Sequence, residues 1–111
     1  MGTTKTEQYS SDQLQIAALA KALAHPARIA ILQHVLQAKQ CINSDLVQEI
    51  GLAQATISQH LKELKQIGIL QGSVEGTSMS YCINPDVWQQ VEKLFSQFFN
   101  QIGPNSNNSC C

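Results

Sequence analysis

Residues 44–68 constrain the fold more than any other stretch of this 111-residue chain. Their first half has apolar residues at helical spacing, and Gly51 follows where a helix commonly ends in a left-handed residue. Their second half repeats apolar side chains at positions i, i+4 and i+7, which one face of a helix brings together: Ile57, Leu61 and Leu64. The stretch therefore predicts two short helices joined by a tight turn.

The face of the second helix that lies opposite this apolar row is polar, and its centre carries no carboxylate. At about 100° per residue, it consists of Ala55, Ser58, Gln59, Lys62 and Gln66, flanked by Gln54, Thr56 and Lys65. Amide, hydroxyl and lysine groups suit phosphate oxygens and base edges, whereas a merely solvated helix usually mixes both charge signs. The pattern favours a DNA-reading helix-turn-helix over the alternative, an ordinary helical hairpin.

Three motifs in this chain resemble one family. Residues 54–65, QATISQHLKELK, closely resemble the recognition helix of the ArsR/SmtB winged-helix repressors. Residues 23–32, LAHPARIAIL, resemble the beginning of that family's second helix, and residues 68–70 with Tyr81 resemble its wing. The resemblance covers about residues 14–100. It implies a homodimeric DNA-binding repressor that leaves its operator when a metal, a metalloid or a thiol-reactive signal binds.

The remaining sequence indicates a mainly α fold with a β-hairpin wing. Helix starts are signalled by a capping box, by prolines suited to a first helical turn and by an asparagine cap: Ser10 with Gln13, Pro26, and Asn84 with Pro85. Residues 69–74 and 79–83 flank a turn and read as two antiparallel strands. The predicted order is four helices, the two strands and a fifth helix, in a dimeric winged helix-turn-helix protein.

We expect one domain over residues 10–102, between a flexible N-terminus at 1–9 and a flexible Cys-Cys tail at 103–111. Charged residues make up 14% of the chain, against a usual value of about 25%. The resulting apolar surface favours a dimer, whose interface would take residues from the first and last helices: Leu14, Leu19, Trp88, Val91, Phe95, Phe98 and Phe99. Alternatively, the apolar stripe of the last helix only closes the core of the monomer.

The predicted DNA contacts divide by chemistry. Base edges are assigned to the amide and hydroxyl side chains Gln54, Thr56, Ser58 and Gln59. Phosphates are assigned to His60, Lys62 and Lys65, and wing contacts to Ser73 and Thr77. The net charge of −1 does not by itself indicate nucleic-acid binding, so these contacts depend on local charge, and we expect a modest, salt-sensitive non-specific affinity. A dimer would bind double-stranded operator DNA with an inverted repeat.

The chain has four cysteines and no apolar run long enough to cross a membrane. We therefore expect a cytoplasmic protein whose cysteines are thiols for metal or redox chemistry rather than a disulfide framework. Cys41, Cys110 and Cys111 would bind As(III), Sb(III) or another thiophilic metal. Cys82 is a further candidate, although its place in a strand favours a small buried apolar role. Alternatively, the same cysteines sense oxidants or persulfides.

The sequence also bears on two other function classes, a protein-interaction module and an enzyme. In a protein-interaction module, the apolar last helix would bind another protein and the helix-turn-helix would not bind DNA. An enzyme is not expected, because no nucleophile, base and orienting residue occur at motif spacing and there is no phosphate-binding glycine loop. DNA binding itself is expected to require no cofactor.

Overall fold

The computed structural model describes residues 6–43, 50–75 and 78–102. In chain order these form a 3-10 turn (Thr6–Gln8), α1 (Ser11–Leu23), α2 (Pro26–Ala38), β1 (Ile42–Asn43), α3 (Gln54–Gln66), β2 (Leu70–Glu75), β3 (Ser78–Ile83) and α4 (Pro85–Phe99). The strands form one antiparallel sheet in the order β1-β3-β2. Residues 44–49, which make up most of the predicted first helix of the helix-turn-helix, lie outside the described residues. The mainly α class with a β-hairpin is confirmed.

Side-chain caps fix the starts of two helices. The Ser10 hydroxyl accepts from the backbone N–H of Gln13 at 3.1 Å, and the Gln13 side chain accepts from the Ser10 N–H at 2.9 Å. This is the predicted capping box. Asn84 Oδ1 accepts from two backbone N–H groups at the start of α4. The residue before α3, Ala53, offers no side-chain cap, so tertiary packing has to hold the first turn of this helix.

The sheet contains one strand that no pattern in the sequence predicts. Residues 37–43 carry no strand signal, but Ile42 pairs with Tyr81 and Asn43 pairs with Ser80. Ile42 is 1% exposed, so its burial accompanies the pairing. A strand of two residues is too short to show an alternating pattern, and its partner is distant in sequence. The hairpin of β2 and β3 itself follows the prediction, in register from Leu70 opposite Ile83 to Glu75 opposite Ser78.

The core lies where α2 and α3 meet the sheet. The apolar row predicted for α3 is confirmed, because Ile57, Leu61 and Leu64 are all 0% exposed. They pack in one cluster with apolar residues from the neighbouring elements: Ile31, Leu32, Val35, Ile42, Ile69 and Leu70. Helix α3 ends before Gly68, whose φ of +93° only glycine adopts readily. The burial of one face orients the opposite face of α3 outward.

Helices α1 and α4 pack against each other. Leu19 and Val91, two residues of the predicted dimer interface, are only 8% exposed and belong mainly to the core of the single chain. Leu14, Trp88 and Phe95 are half-buried. Phe98 and Phe99 remain 49% and 68% exposed. Within the described ranges, no helix is both long enough and apolar enough to span a bilayer.

Candidate nucleic-acid interface

The outer face of α3 presents the residues that the sequence assigned to DNA. All but one of the predicted contacts on this helix are exposed: Gln54, Thr56, Ser58, Gln59, Lys62 and Lys65. We call this set the reading row. Lys62 and Lys65 give the row positive charge towards the C-terminal end of the helix. Hydroxyl and amide groups occupy its first two turns, so the row combines groups for phosphate contact with groups that fit base edges.

Two hydrogen bonds link a side chain of the reading row to a residue one helical turn further along α3. The amide nitrogen of Gln54 donates to Oγ of Ser58 at 3.2 Å. The amide nitrogen of Gln59 donates to Oε1 of Glu63 at 3.3 Å. Such i, i+4 pairs restrict the side-chain rotamers before any partner arrives. The row is therefore partly ordered within the protein itself.

His60 does not belong to the reading row, which corrects its assignment to a phosphate contact. The side chain is only 7% exposed and faces α2. Its Nδ1 accepts a hydrogen bond from Nε of Arg28 at 3.0 Å, and its ring centroid lies 4.7 Å from that of His25. His60 therefore makes its hydrogen bond within the fold rather than to a phosphate. A side chain at the edge of an apolar stripe can point into the core or towards solvent, and here packing against α2 directs His60 inward.

Arg28 connects three helices and was not singled out by the sequence analysis. It lies in α2, donates from Nη1 to the carbonyl of Ala22 in α1 at 3.1 Å, and donates from Nε to His60 in α3. Its Nη2 also forms an ion pair with the Glu63 carboxylate. Arg28 is the only arginine in the chain. Its place among apolar residues of α2 is a sequence signal for a buried polar contact, because a half-buried guanidinium requires acceptors.

The surroundings of His60 favour its neutral form. Burial lowers the pKa of His60, and the neighbouring charges of Arg28 and then His25 lower this pKa further. The geometry agrees, because an Nδ1 that accepts from a guanidinium carries no proton. The remaining ring proton is therefore on Nε2. Protonation of Nδ1 would both break the bond to Arg28 and place two positive charges together.

The wing adjoins the C-terminal end of the reading row. A Cβ atom built on Gly72 of β2 would lie 3.4 Å from Nζ of Lys65, so this lysine rests against the strand. Ser73, the next residue of β2, is exposed as a wing contact requires. Thr77, the other predicted wing contact, lies outside the described residues. The structure therefore brings Lys65 and Ser73 to the junction between helix and wing.

The cysteines differ from the expectation of four thiols. Cys41 and Cys82 form a disulfide with a Cα–Cα separation of 4.3 Å. They are the cross-strand pair that continues the register of β1 and β3 by one residue. Cys82 is half-buried rather than a buried apolar residue, and the pairing joins positions 41 residues apart, which no local pattern reveals. Cys110 and Cys111 lie outside the described residues. In the part of the chain that is described, no three His, Cys, Asp or Glu side chains are grouped to hold a metal ion.

A helix with one buried face and an exposed reading row, followed by a β-hairpin, is typical of the winged helix-turn-helix class. The chain matches the sequence model described as "Bacterial regulatory protein, arsR family" over residues 25–71. It is also 32% identical over 81 residues to the uncharacterised HTH-type transcriptional regulator MJ1325 of Methanocaldococcus jannaschii, covering 73% of this chain and 91% of that one. The chain belongs to the ArsR family.

Other relatives match over a shorter part of their length. The chain is 38% identical over 63 residues to the HTH-type transcriptional repressor SmtB of Mycobacterium tuberculosis, which is 57% of this chain and 46% of SmtB. It is 35% identical over 68 residues to the regulator Rv0081 of the same species, 60% of either chain. The crystal structure of Rv0081 superimposes with a TM-score of 0.63 at 26% identity, covering 83% of this chain and 96% of that one.

Proposed function

We propose that this protein is a DNA-binding transcriptional repressor that acts as a homodimer on an inverted-repeat operator. The observation that carries the proposal is the reading row, which is exposed, polar and positively charged on a helix fixed by its buried face. The similar protein SmtB is a transcriptional repressor, which supports repression as the direction of regulation. The one carboxylate of this helix, Glu63, is also paired with Arg28, so its negative charge is compensated beside the reading row.

Within the row, Gln54, Thr56, Ser58 and Gln59 are proposed to read base edges. Lys62 and Lys65 are proposed to contact phosphates, and Ser73 and Thr77 to add contacts from the wing. Amides can make two hydrogen bonds to one base, whereas an ammonium group is a compact charge suited to phosphate. This division predicts that replacing a base-reading residue lowers sequence specificity, whereas replacing a lysine lowers the salt dependence of binding.

The dimer is proposed to form through α1 and α4. Phe98 and Phe99 are adjacent on α4, and their rings contact each other with a centroid separation of 5.3 Å. Both remain largely exposed in the single chain, together with Ile102 just beyond the helix. A two-fold axis through this apolar face would bury them and present two reading rows to successive half-sites.

The DNA-binding part is tested with a duplex that the wild-type protein selects from a randomised pool. Fluorescence anisotropy compares its affinity with that of a scrambled duplex at several salt concentrations. Gln59→Ala should lose preference for the selected duplex, whereas Lys62→Ala should weaken both duplexes equally and reduce the salt slope by about one unit. Lys93→Ala, an exposed lysine on α4, is the matched control. Equal losses for Gln59→Ala and Lys62→Ala on both duplexes would refute the division of roles.

The inducing signal is proposed to act on thiols. One candidate is As(III), Sb(III) or another thiophilic metal bound by Cys41, Cys110 and Cys111, with Cys82 as a further ligand. Soft metalloids prefer two or three thiolates. Because Cys41 is bonded to Cys82, this route requires the reduced protein, in which those two thiols would lie side by side at the end of the sheet.

The Cys41–Cys82 disulfide favours a second candidate, an oxidant signal. A peroxide would take two electrons and two protons from the two thiols, leaving the disulfide and two molecules of water. Cys41 comes immediately before β1, which leads into the helix-turn-helix, and Cys82 is on the return strand of the wing. The bond therefore ties the strand that precedes the helix-turn-helix sequence to the wing, and we expect its formation to restrict their relative movement.

Anisotropy on the selected duplex separates the two signals. Reduced wild-type protein is titrated alone, with arsenite, and with hydrogen peroxide. Release by arsenite that is lost in Cys110→Ser/Cys111→Ser supports the metalloid route. A peroxide effect that is lost in Cys82→Ser and retained in the tail double variant supports the disulfide route. Binding that neither reagent changes would refute a thiol-based signal.

A further inference from the structure

We infer that Glu63 is a specificity-determining positioning residue, which orients the amide of Gln59 for base reading and is itself held in place by Arg28. Three consecutive bonds carry this inference. The carbonyl of Ala22 accepts from Arg28 at 3.1 Å, Arg28 pairs with the Glu63 carboxylate, and that carboxylate accepts from Gln59 at 3.3 Å. The inference rests on the base-reading role proposed for Gln59.

A carboxylate decides which end of a neighbouring amide points towards it. The NH₂ group of Gln59 donates one hydrogen to Glu63, because a carboxylate accepts and does not donate. The second hydrogen and the amide oxygen remain for a ligand. This is the pair of groups with which glutamine binds adenine, donating to N7 and accepting from the N6 amino group. Without Glu63, the amide can turn over and present its donor and acceptor in the opposite order.

Arg28 makes such a carboxylate compatible with DNA. An unpaired negative charge beside the reading row would repel phosphates. The Glu63 side chain is 38% exposed, but its other oxygen is paired with Arg28, which is only 14% exposed. Arg28 is anchored in turn by the carbonyl of Ala22 and by His60. One oxygen of Glu63 is thus fixed to the helical core, and the other faces Gln59.

A purely structural role for Glu63 makes a different prediction. If the carboxylate only stabilised α3 through its ion pair, its removal would lower the affinity for every duplex alike. If it positions Gln59, its removal lowers affinity for the selected duplex only. Affinity for a scrambled duplex would then stay the same or rise, because a negative charge near the phosphates has gone.

The test measures the ratio of affinities for the selected and scrambled duplexes by anisotropy at fixed salt. Glu63→Ala should lower this ratio roughly three- to tenfold, less than the full loss of a two-bond base contact. In a Gln59→Ala background the same substitution should have no further effect on the ratio, because coupled residues are not additive. Glu63→Gln keeps an acceptor for the amide and should recover most of the ratio. Glu92→Ala, an exposed carboxylate on α4, is the charge-matched control and should leave the ratio unchanged.

Circular dichroism establishes that each variant is folded. Should Glu63→Ala unfold, Glu63→Asp takes its place, because the shorter side chain keeps the charge but cannot reach both partners; it should lower the ratio too. An unchanged ratio, equal losses on both duplexes, or an additive effect in the Gln59→Ala background would overturn the inference. A wild-type protein that selects no duplex would instead refute the proposed function.

Discussion

Arg28→Ala should destabilise the fold by about 3–5 kcal/mol. The substitution leaves the carbonyl of Ala22 and Nδ1 of His60 without their donor, in surroundings where water has limited access. Each hydrogen bond from a charged donor contributes about 1.5–3 kcal/mol. Glu63 adds little, because its carboxylate is 38% exposed and an ion pair with that much solvent contributes at most about 1 kcal/mol.

Arg28→Lys refines this prediction. An ammonium group keeps the charge but cannot make the three differently directed contacts of a guanidinium at once. It should therefore recover only part of the loss, leaving about 1.5–2.5 kcal/mol. Urea unfolding is followed by the fluorescence of Trp88, the only tryptophan, and by circular dichroism. Lys21→Ala, an exposed cation in the last turn of α1, is the control. A free energy of unfolding for Arg28→Ala within about 1 kcal/mol of wild type would contradict the three-helix role.

Three further predictions concern pH, a backbone position and assembly. Burial and Arg28 lower the pKa of His60 below 6.5. Below that pH the unfolded chain therefore binds a proton at His60 that the folded chain does not. Unfolding free energies measured across pH should be constant above this value and fall below it, and His60→Gln should reduce the fall. Gly68→Ala should cost about 1–2 kcal/mol in urea unfolding because of the positive φ, and Gly68→Asn should cost less. Phe99→Ser should weaken dimerisation in sedimentation experiments, whereas Gln97→Ser, exposed on the same helix, should not.

Features encoded locally could be predicted from the sequence. The apolar row of α3 follows from helical spacing alone, and its burial orients the reading row without further information. The caps at Ser10 and Asn84 and the left-handed Gly68 likewise depend on neighbours within a few positions. In each case, the residue's own chemistry determines the local structure.

Features that depend on distant partners could not be predicted. His60 turns inward because Arg28, 32 positions earlier, offers a hydrogen bond. Cys41 pairs with Cys82 only because a two-residue strand aligns beside the wing. Helical spacing places Glu63 between the core and the reading row, but only the tertiary contact with Arg28 shows that its charge is neutralised. Such pairings arise from packing, which a periodic pattern does not record.

The location of the DNA interface can be measured directly by titrating ¹⁵N-labelled protein with the selected duplex and following the amide resonances. The largest shifts should occur along α3, at Ser58, Gln59 and Lys62, with smaller shifts at Ser73 in the wing. The surface of α4 should change little. Largest shifts at Phe98 and Phe99, with an undisturbed α3, would contradict the proposed interface, and the absence of any shift would favour a protein-interaction module.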